Sequence, residues 1–249
     1  MSNLETPNKV GTGEGVREGS GQMFDGIAER YDLLNRIISL GIDQRWRKKT
    51  VAALQMKPGE RVLDLACGTA DLTMLVARTE PQAAVVGLDP SKKMLAVGER
   101  KILAAGLDRQ ITLLEGNAES LPFAKDSYDR VCMAFGIRNV PDREKALREM
   151  ARVTRSGGRI AILELAEPKQ GMIGGLARFH VHSVVPWLGS LLSGSAEYRY
   201  LQRSIAAFPS ASDFTKLMQS CGLKILAVTP LTFGVATLYV ATPVEAKES

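Results

Sequence analysis

The chain has 249 residues, 45% of them apolar and 24% charged, which suits one packed α/β domain with appended segments and excludes a disordered or fibrous chain. A formal net charge of +5 is too mild to argue for nucleic acid as a partner. Three scattered cysteines, Cys67, Cys132 and Cys221, contain no C-x-x-C pair and argue against a disulfide framework or a zinc site. With no apolar leader segment at the N-terminus, they predict a cytoplasmic protein.

Residues 1–21 are polar and glycine-rich and read as a disordered lead-in. Phe24, Ile27, Ala28, Tyr31 and Leu34 recur at helical spacing, predicting one apolar stripe. A second helix is predicted from about Asp43 to Leu54, so residues 22–57 form a helical cap. It carries a basic cluster, Arg45, Arg47, Lys48 and Lys49, which reads either as a solvated face or as a contact with anionic lipid head groups.

Beyond the turn at Lys57-Pro58-Gly59, strands and helices alternate. Strands are predicted at Arg61–Leu65, Ala84–Asp89, Ile111–Glu115, Tyr128–Ala134 and Arg159–Leu165. Helices are predicted at Asp71–Arg78, Ser91–Ala105 and Arg143–Thr154, with a turn at Ser156-Gly157-Gly158. Residues 168–210 form an apolar insert that reads as core, as a homodimer interface, or as a channel for an isoprenoid tail opening to the membrane. Its two histidines, His180 and His182, face apart on a helix, so they read as wall residues and no metal is expected. A helix at Ser212–Cys221 and strands at Lys224–Thr229 and Ala236–Ala241 follow; the short link from Pro230 to Val235 predicts an antiparallel hairpin at the sheet edge. The expectation is a single α/β domain over 22–243, with a mostly parallel, Rossmann-like sheet, helices on both faces and an antiparallel edge strand, followed by a polar tail at 244–249.

An open parallel sheet binds ligands beyond the C-terminal ends of its strands. The first strand leads into Asp64-Leu65-Ala66-Cys67-Gly68-Thr69-Ala70-Asp71, whose small residues let a ligand approach the backbone. The second strand ends in Asp89, an acid able to accept both ribose hydroxyls of an adenosine. The third leads to Asn117 and Ala118, a side chain and a backbone amide that can read an adenine edge. With Gly68 as its one glycine, the first loop has little bare backbone to cradle a pyrophosphate. Asp71 opens the next helix with an acid that would repel phosphate and tolerate a sulfonium, which favours S-adenosylmethionine over a nicotinamide dinucleotide.

Several blocks then resemble, in order, the ubiquinone/menaquinone biosynthesis C-methyltransferase family. They are Tyr31-Asp32-Leu33-Leu34-Asn35 with Ser39, Gly41 and Trp46; Val62 to Thr69; Asn117-Ala118-Glu119 with Leu121-Pro122-Phe123; Phe135-Gly136-Ile137-Arg138-Asn139-Val140; Arg152-Val153 with Gly157-Gly158-Arg159; and Tyr198 with Tyr200-Leu201. Asp43 stands where the family usually has histidine, and Ala134 where a serine is common. The resemblance implies a class I methyltransferase fold and cofactor contacts at Thr69, Asp89, Asn117 and Ala118; Asp64 and Gly68 join them from loop geometry. It implies C-methylation of a reduced prenylated quinone, demethylmenaquinol or the demethylated ubiquinol precursor, at the inner face of the membrane. A nearby fixed positive charge would favour the acceptor's phenolate, and Arg138 is the candidate. Tyr31 or a water would relay the proton, and Asn139 would orient a ring oxygen. A small-molecule O-methyltransferase and a non-catalytic partner in a quinone-synthesis complex remain the competing readings.

Overall fold

The computed structural model describes residues 25–26, 28–166 and 195–244. The lead-in at 1–21, Phe24 and Ile27 of the apolar stripe, residues 168–194 of the insert with both histidines, and residues 245–249 of the tail lie outside the described residues.

Two helices, α1 (Tyr31–Ser39) and α2 (Ile42–Leu54), precede the sheet. The chain then runs β1 (Arg61–Leu65), α3 (Asp71–Thr79), β2 (Ala84–Asp89), α4 (Lys92–Ala104), β3 (Ile111–Glu115), β4 (Tyr128–Ala134), α5 (Arg143–Val153) and β5 (Thr154–Leu165). Within the insert lies α6 (Ser195–Ala206), and after it come α7 (Ala211–Ser220), β6 (Leu223–Leu231) and β7 (Ala236–Pro243). Seven strands form one sheet in the order β3-β2-β1-β4-β5-β7-β6. β1 to β5 pair in parallel, while β7 runs antiparallel to both β5 and β6. The expected hairpin therefore closes the edge, with β6 outermost. Strand order reverses between β1 and β4, which puts the ligand crevice at the ends of those two strands.

Alternation along the strands divides the core in two. Leu63, Leu65, Val131 and Met133 face one layer with Met150 and Phe214; Val62 and Cys132 face the other with Trp46, Leu54 and Val76. β1 and β4 are buried on both faces, which is why apolar residues cluster in them at Val62-Leu63 and at Val131 to Ala134.

Two local expectations are corrected. Over its described residues the stripe predicted through Phe24 to Leu34 is not one continuous helix: a 3-10 turn at Ala28–Arg30 precedes α1 and buries Ala28. The turn at Ser156-Gly157-Gly158 is a bulge inside β5, since Tyr128 pairs with Thr154 but Arg130 with Arg159. Gly157 takes φ 71°, and a Cβ on Gly158 would sit 2.8 Å from the Asp129 carbonyl, so glycine lets the bulge lie against β4. Among the described residues, no helix is long and apolar enough to cross a membrane.

Candidate functional site

The crevice is built from the loops after β1, β2, β3 and β4. In the first, Ala66, Gly68 and Ala70 all adopt left-handed backbone, at φ 50°, 56° and 65°. Two alanines held there store strain of a kind found at ligand sites. Gly68 is buried beneath α1, and among the described residues a Cβ on it would meet Tyr31 Cε1 at 3.9 Å.

Asp89, at the end of β2, accepts from the Gly68 amide through Oδ2 and from the Ser91 amide through Oδ1, each at 2.8 Å. Both oxygens are thereby fixed and retain lone pairs for hydroxyl donors. Burial pushes this carboxyl up, against those amide bonds, and the nearby Asp25 adds to the rise. Asp25 itself accepts from Ser91 Oγ at 2.6 Å, tying the start of the cap to the site. On the neighbouring strand Asp89 is in register with Glu115, so the Asn117 turn lies beside it. Asn117 Oδ1 accepts from the Glu119 amide at 3.0 Å, and Ala118 is buried.

Asp64 is buried at the end of β1, with Thr73 Oγ1 donating to Oδ2 at 2.6 Å and the Cys132 thiol to Oδ1 at 3.6 Å. Burial raises its pKa to about 6, opposed by the Thr73 bond and the charge of Arg47. Around Thr69 lies a clamp: its hydroxyl donates to Asp32 at 2.5 Å, while Lys101 from α4 reaches Asp32 at 2.6 Å and Asp71 at 2.5 Å. Against its burial, Lys101 holds Asp71 below the usual carboxylate range. Asp71 is therefore no bare charge.

On the other side of the crevice, Phe135 turns the chain with φ 61° after β4. A Cβ on Gly136 would lie 2.6 Å from Ala66 Cβ, so this turn and the first loop touch. Arg138 is buried in the following 3-10 turn, Ile137–Asn139. Its Nη1 donates to Glu164 Oε1 at 2.5 Å and to the Phe135 carbonyl at 2.8 Å, and its amide donates to Glu164 Oε2 at 3.1 Å. Arg138 is thus half of a buried ion pair, whose field is smaller than that of the bare charge the sequence suggested. Asn139 Oδ1 accepts from Tyr200 Oη at 3.0 Å, which fastens α6 to the turn.

The basic cluster divides. Arg45, Lys48 and Lys49 are exposed, whereas Arg47 is buried beneath the crevice, 3.5 Å from Asp43 and with its guanidinium 5.2 Å from the Phe135 ring centre. Neither surface reading of the cluster applies to Arg47. Together Tyr31, Arg47, Asp64, Gly68, Thr69 and Ala134 line one small cavity of about 10 Å³. Of the residues expected from the sequence, Asp64, Gly68, Thr69 and Tyr31 meet there, while Arg138 and Asn139 stand beyond Phe135. Arg47, Lys101 and Glu164 were missed; the i,i+4 pairing of Asp43 with Arg47 was the legible signal. Among the described residues no three His, Cys, Asp or Glu side chains group so as to hold a metal.

A sequence profile of the ubiE/COQ5 methyltransferase family matches residues 14–243. The chain is 44% identical over 217 residues to the ubiquinone/menaquinone biosynthesis C-methyltransferase UbiE of Syntrophotalea carbinolica, covering 87% of this chain and 91% of that one. It is 44% identical over 219 residues to a demethylmenaquinone methyltransferase of Thermus thermophilus, covering 88% and 98%. Among solved structures, a SAM-dependent methyltransferase from Aquifex aeolicus superposes with a TM-score of 0.60 at 16% identity, over 80% of this chain and 89% of that one. At that identity the likeness shows the fold.

Proposed function

We propose, for a chain that belongs to the ubiE/COQ5 methyltransferase family, that it moves a methyl group from S-adenosylmethionine to a ring carbon of a reduced prenylated quinone. The acceptor is demethylmenaquinol or the demethylated ubiquinol precursor. The observation that carries this reading is the meeting, at the sheet's switch point, of an adenosine-type acid with the acceptor-side turn of the family. Asp89 is locked by the backbone amides of Gly68 and Ser91, while the Phe135–Asn139 turn packs directly against the Gly68 loop. These residues fit the donor: Asp89 would take the ribose hydroxyls, Asn117 and the Ala118 amide the adenine edge, and Gly68, Thr69 and Asp64 the amino-acid end.

When bound, S-adenosylmethionine supplies an electrophilic methyl on a sulfonium. The chain's task is alignment and deprotonation. Holding two reactants in line lowers a barrier by roughly 7–11 kcal/mol. An acceptor hydroxyl resembles that of tyrosine, with a pKa near ~10, and ionises only with help. In this reading Tyr31, above the first loop, relays that proton through its Oη. Asn139, held by Tyr200, orients a ring oxygen. Arg138, with Glu164 fixing one edge, turns the remaining field toward the developing phenolate; its Nε is buried without a hydrogen-bond partner. A prenyl tail belongs in a bilayer, so the proposal places the chain at the cytoplasmic membrane face. Exposed Arg45, Lys48 and Lys49 would meet the head groups, and the apolar insert would meet the tail or a second subunit.

Incubation with isotopically labelled donor and reduced demethylmenaquinone tests this. One labelled methyl in the quinone product is expected. No transfer from protein that binds the donor would move the assignment to another small-molecule methyltransferase.

A further inference from the structure

This end of the crevice holds four acids, and three of them are already met. Asp32 and Asp71 are matched by Lys101, and Asp43 accepts from Ser39 Oγ at 2.7 Å and from Gln44 at 3.2 Å. The fourth, Asp64, faces the same cavity as Arg47. Arg47 is 6% exposed, yet its Nε has no hydrogen-bond partner, and Asp43 stands 3.5 Å from it, beyond a strong charge-assisted bond. One face of the guanidinium lies under the Phe135 ring. A buried guanidinium in that condition is costly until an anion meets it.

We propose that Arg47 binds the α-carboxylate of the donor's amino-acid end, while Asp64 across the cavity takes its α-ammonium. The inference rests on the donor reading above and adds the recognition of its zwitterionic end. A zwitterion suits this end of the crevice because cation and acid are presented side by side. An acceptor phenolate would meet Asp64 as well as Arg47, and like charge opposes it. Planar, two-pronged recognition of a carboxylate is what a guanidinium does best. Arg47 comes from α2, so the N-terminal helices would close one wall of the donor site and not only cap the acceptor.

The test compares two nucleosides by calorimetry on the full chain. S-adenosylhomocysteine carries the amino-acid end; 5′-methylthioadenosine lacks it. For Arg47→Met, loss of a charged hydrogen bond predicts S-adenosylhomocysteine weakened by roughly 10- to 100-fold. Methylthioadenosine affinity stays at the wild-type value, and Arg47→Lys falls between. Unchanged S-adenosylhomocysteine affinity in Arg47→Met would overturn the proposal. So would equal weakening of both ligands, which would mark Arg47 as merely structural. A wild-type protein that binds neither nucleoside would instead refute the donor reading, and this inference with it.

Discussion

Replacing Arg138 with methionine removes one half of the pair with Glu164 while keeping apolar bulk. Glu164 is fully buried, and among the described residues its carboxylate receives the Arg138 guanidinium and the amides of Arg138 and Leu165. Removing one partner of such a pair costs about 3–5 kcal/mol, because the remaining charge stays buried and uncompensated. At about 2–4 °C per kcal/mol for a domain of this size, Tm falls by about 6–20 °C. The double variant Arg138→Met/Glu164→Gln leaves no unpaired charge and recovers most of that loss, since an uncharged pair of similar shape is close to neutral. Turnover separates the structural role from the chemical one. Loss of a single stabilising donor at a reacting centre costs about 10²–10³ in kcat. Both variants are expected to lose turnover to that degree while the double variant binds S-adenosylhomocysteine as the wild type does. Thermal melts and single-turnover rates read the two effects. A single variant melting within a degree or two of wild type would refute the energetic argument; recovery of turnover in the double variant would refute the electrostatic one.

Asp64 makes stability depend on pH. Its folded pKa of about 6 lies above the ordinary 3.8, so the fold binds this proton more tightly than the unfolded chain does. The stabilisation is complete below about pH 4 and is lost as pH rises through about 6, a span on the order of 3 kcal/mol. Asp64→Asn is expected to flatten the Tm profile between pH 4 and 7, and parallel profiles for the two proteins would contradict this. With Asp64 facing the donor's ammonium, S-adenosylhomocysteine affinity also climbs from pH 5 to 7 in wild type and stays level in the variant. Gly136→Ala puts a methyl 2.6 Å from Ala66 Cβ, a contact between two backbone-fixed atoms. Forcing the two loops apart costs about 1–3 kcal/mol and weakens donor binding as well; unaltered donor affinity would show that the loops are independent.

Most of the sheet was legible because its chemistry is local. Central strands buried on both faces leave apolar clusters such as Val62-Leu63 and Val131 to Ala134, and the loop that follows each strand meets the crevice. Asp89 and Asn117 could be placed because they close strands whose register is shared. The β5 bulge was missed because two adjacent glycines usually mark the end of an element, and only the Asp129 carbonyl close to Gly158 shows why the strand continues. Arg47 and Lys101 were missed for a different reason. A cation on an amphipathic helix reads as solvated until the partner across the fold is known. Phe135 and Asp64 lie 88 and 17 residues from Arg47; Asp32 lies 69 from Lys101. Arg138 shows the same limit from the other direction. Its position after β4 was readable, but Glu164, 26 residues on in β5, decides how much of its charge is felt.

The central claim is that this crevice methylates carbon on a reduced quinone. It is tested most directly with a demethylated naphthoquinol and a demethylated benzoquinol, each deuterated at the acceptor ring position and offered separately with S-adenosylmethionine. The account predicts a product in which a ring methyl replaces the deuterium, seen as a mass change and as the loss of that ring position by NMR. A product that gains the methyl on oxygen and keeps its deuterium, or no product from either acceptor in protein shown to bind the donor, would contradict it.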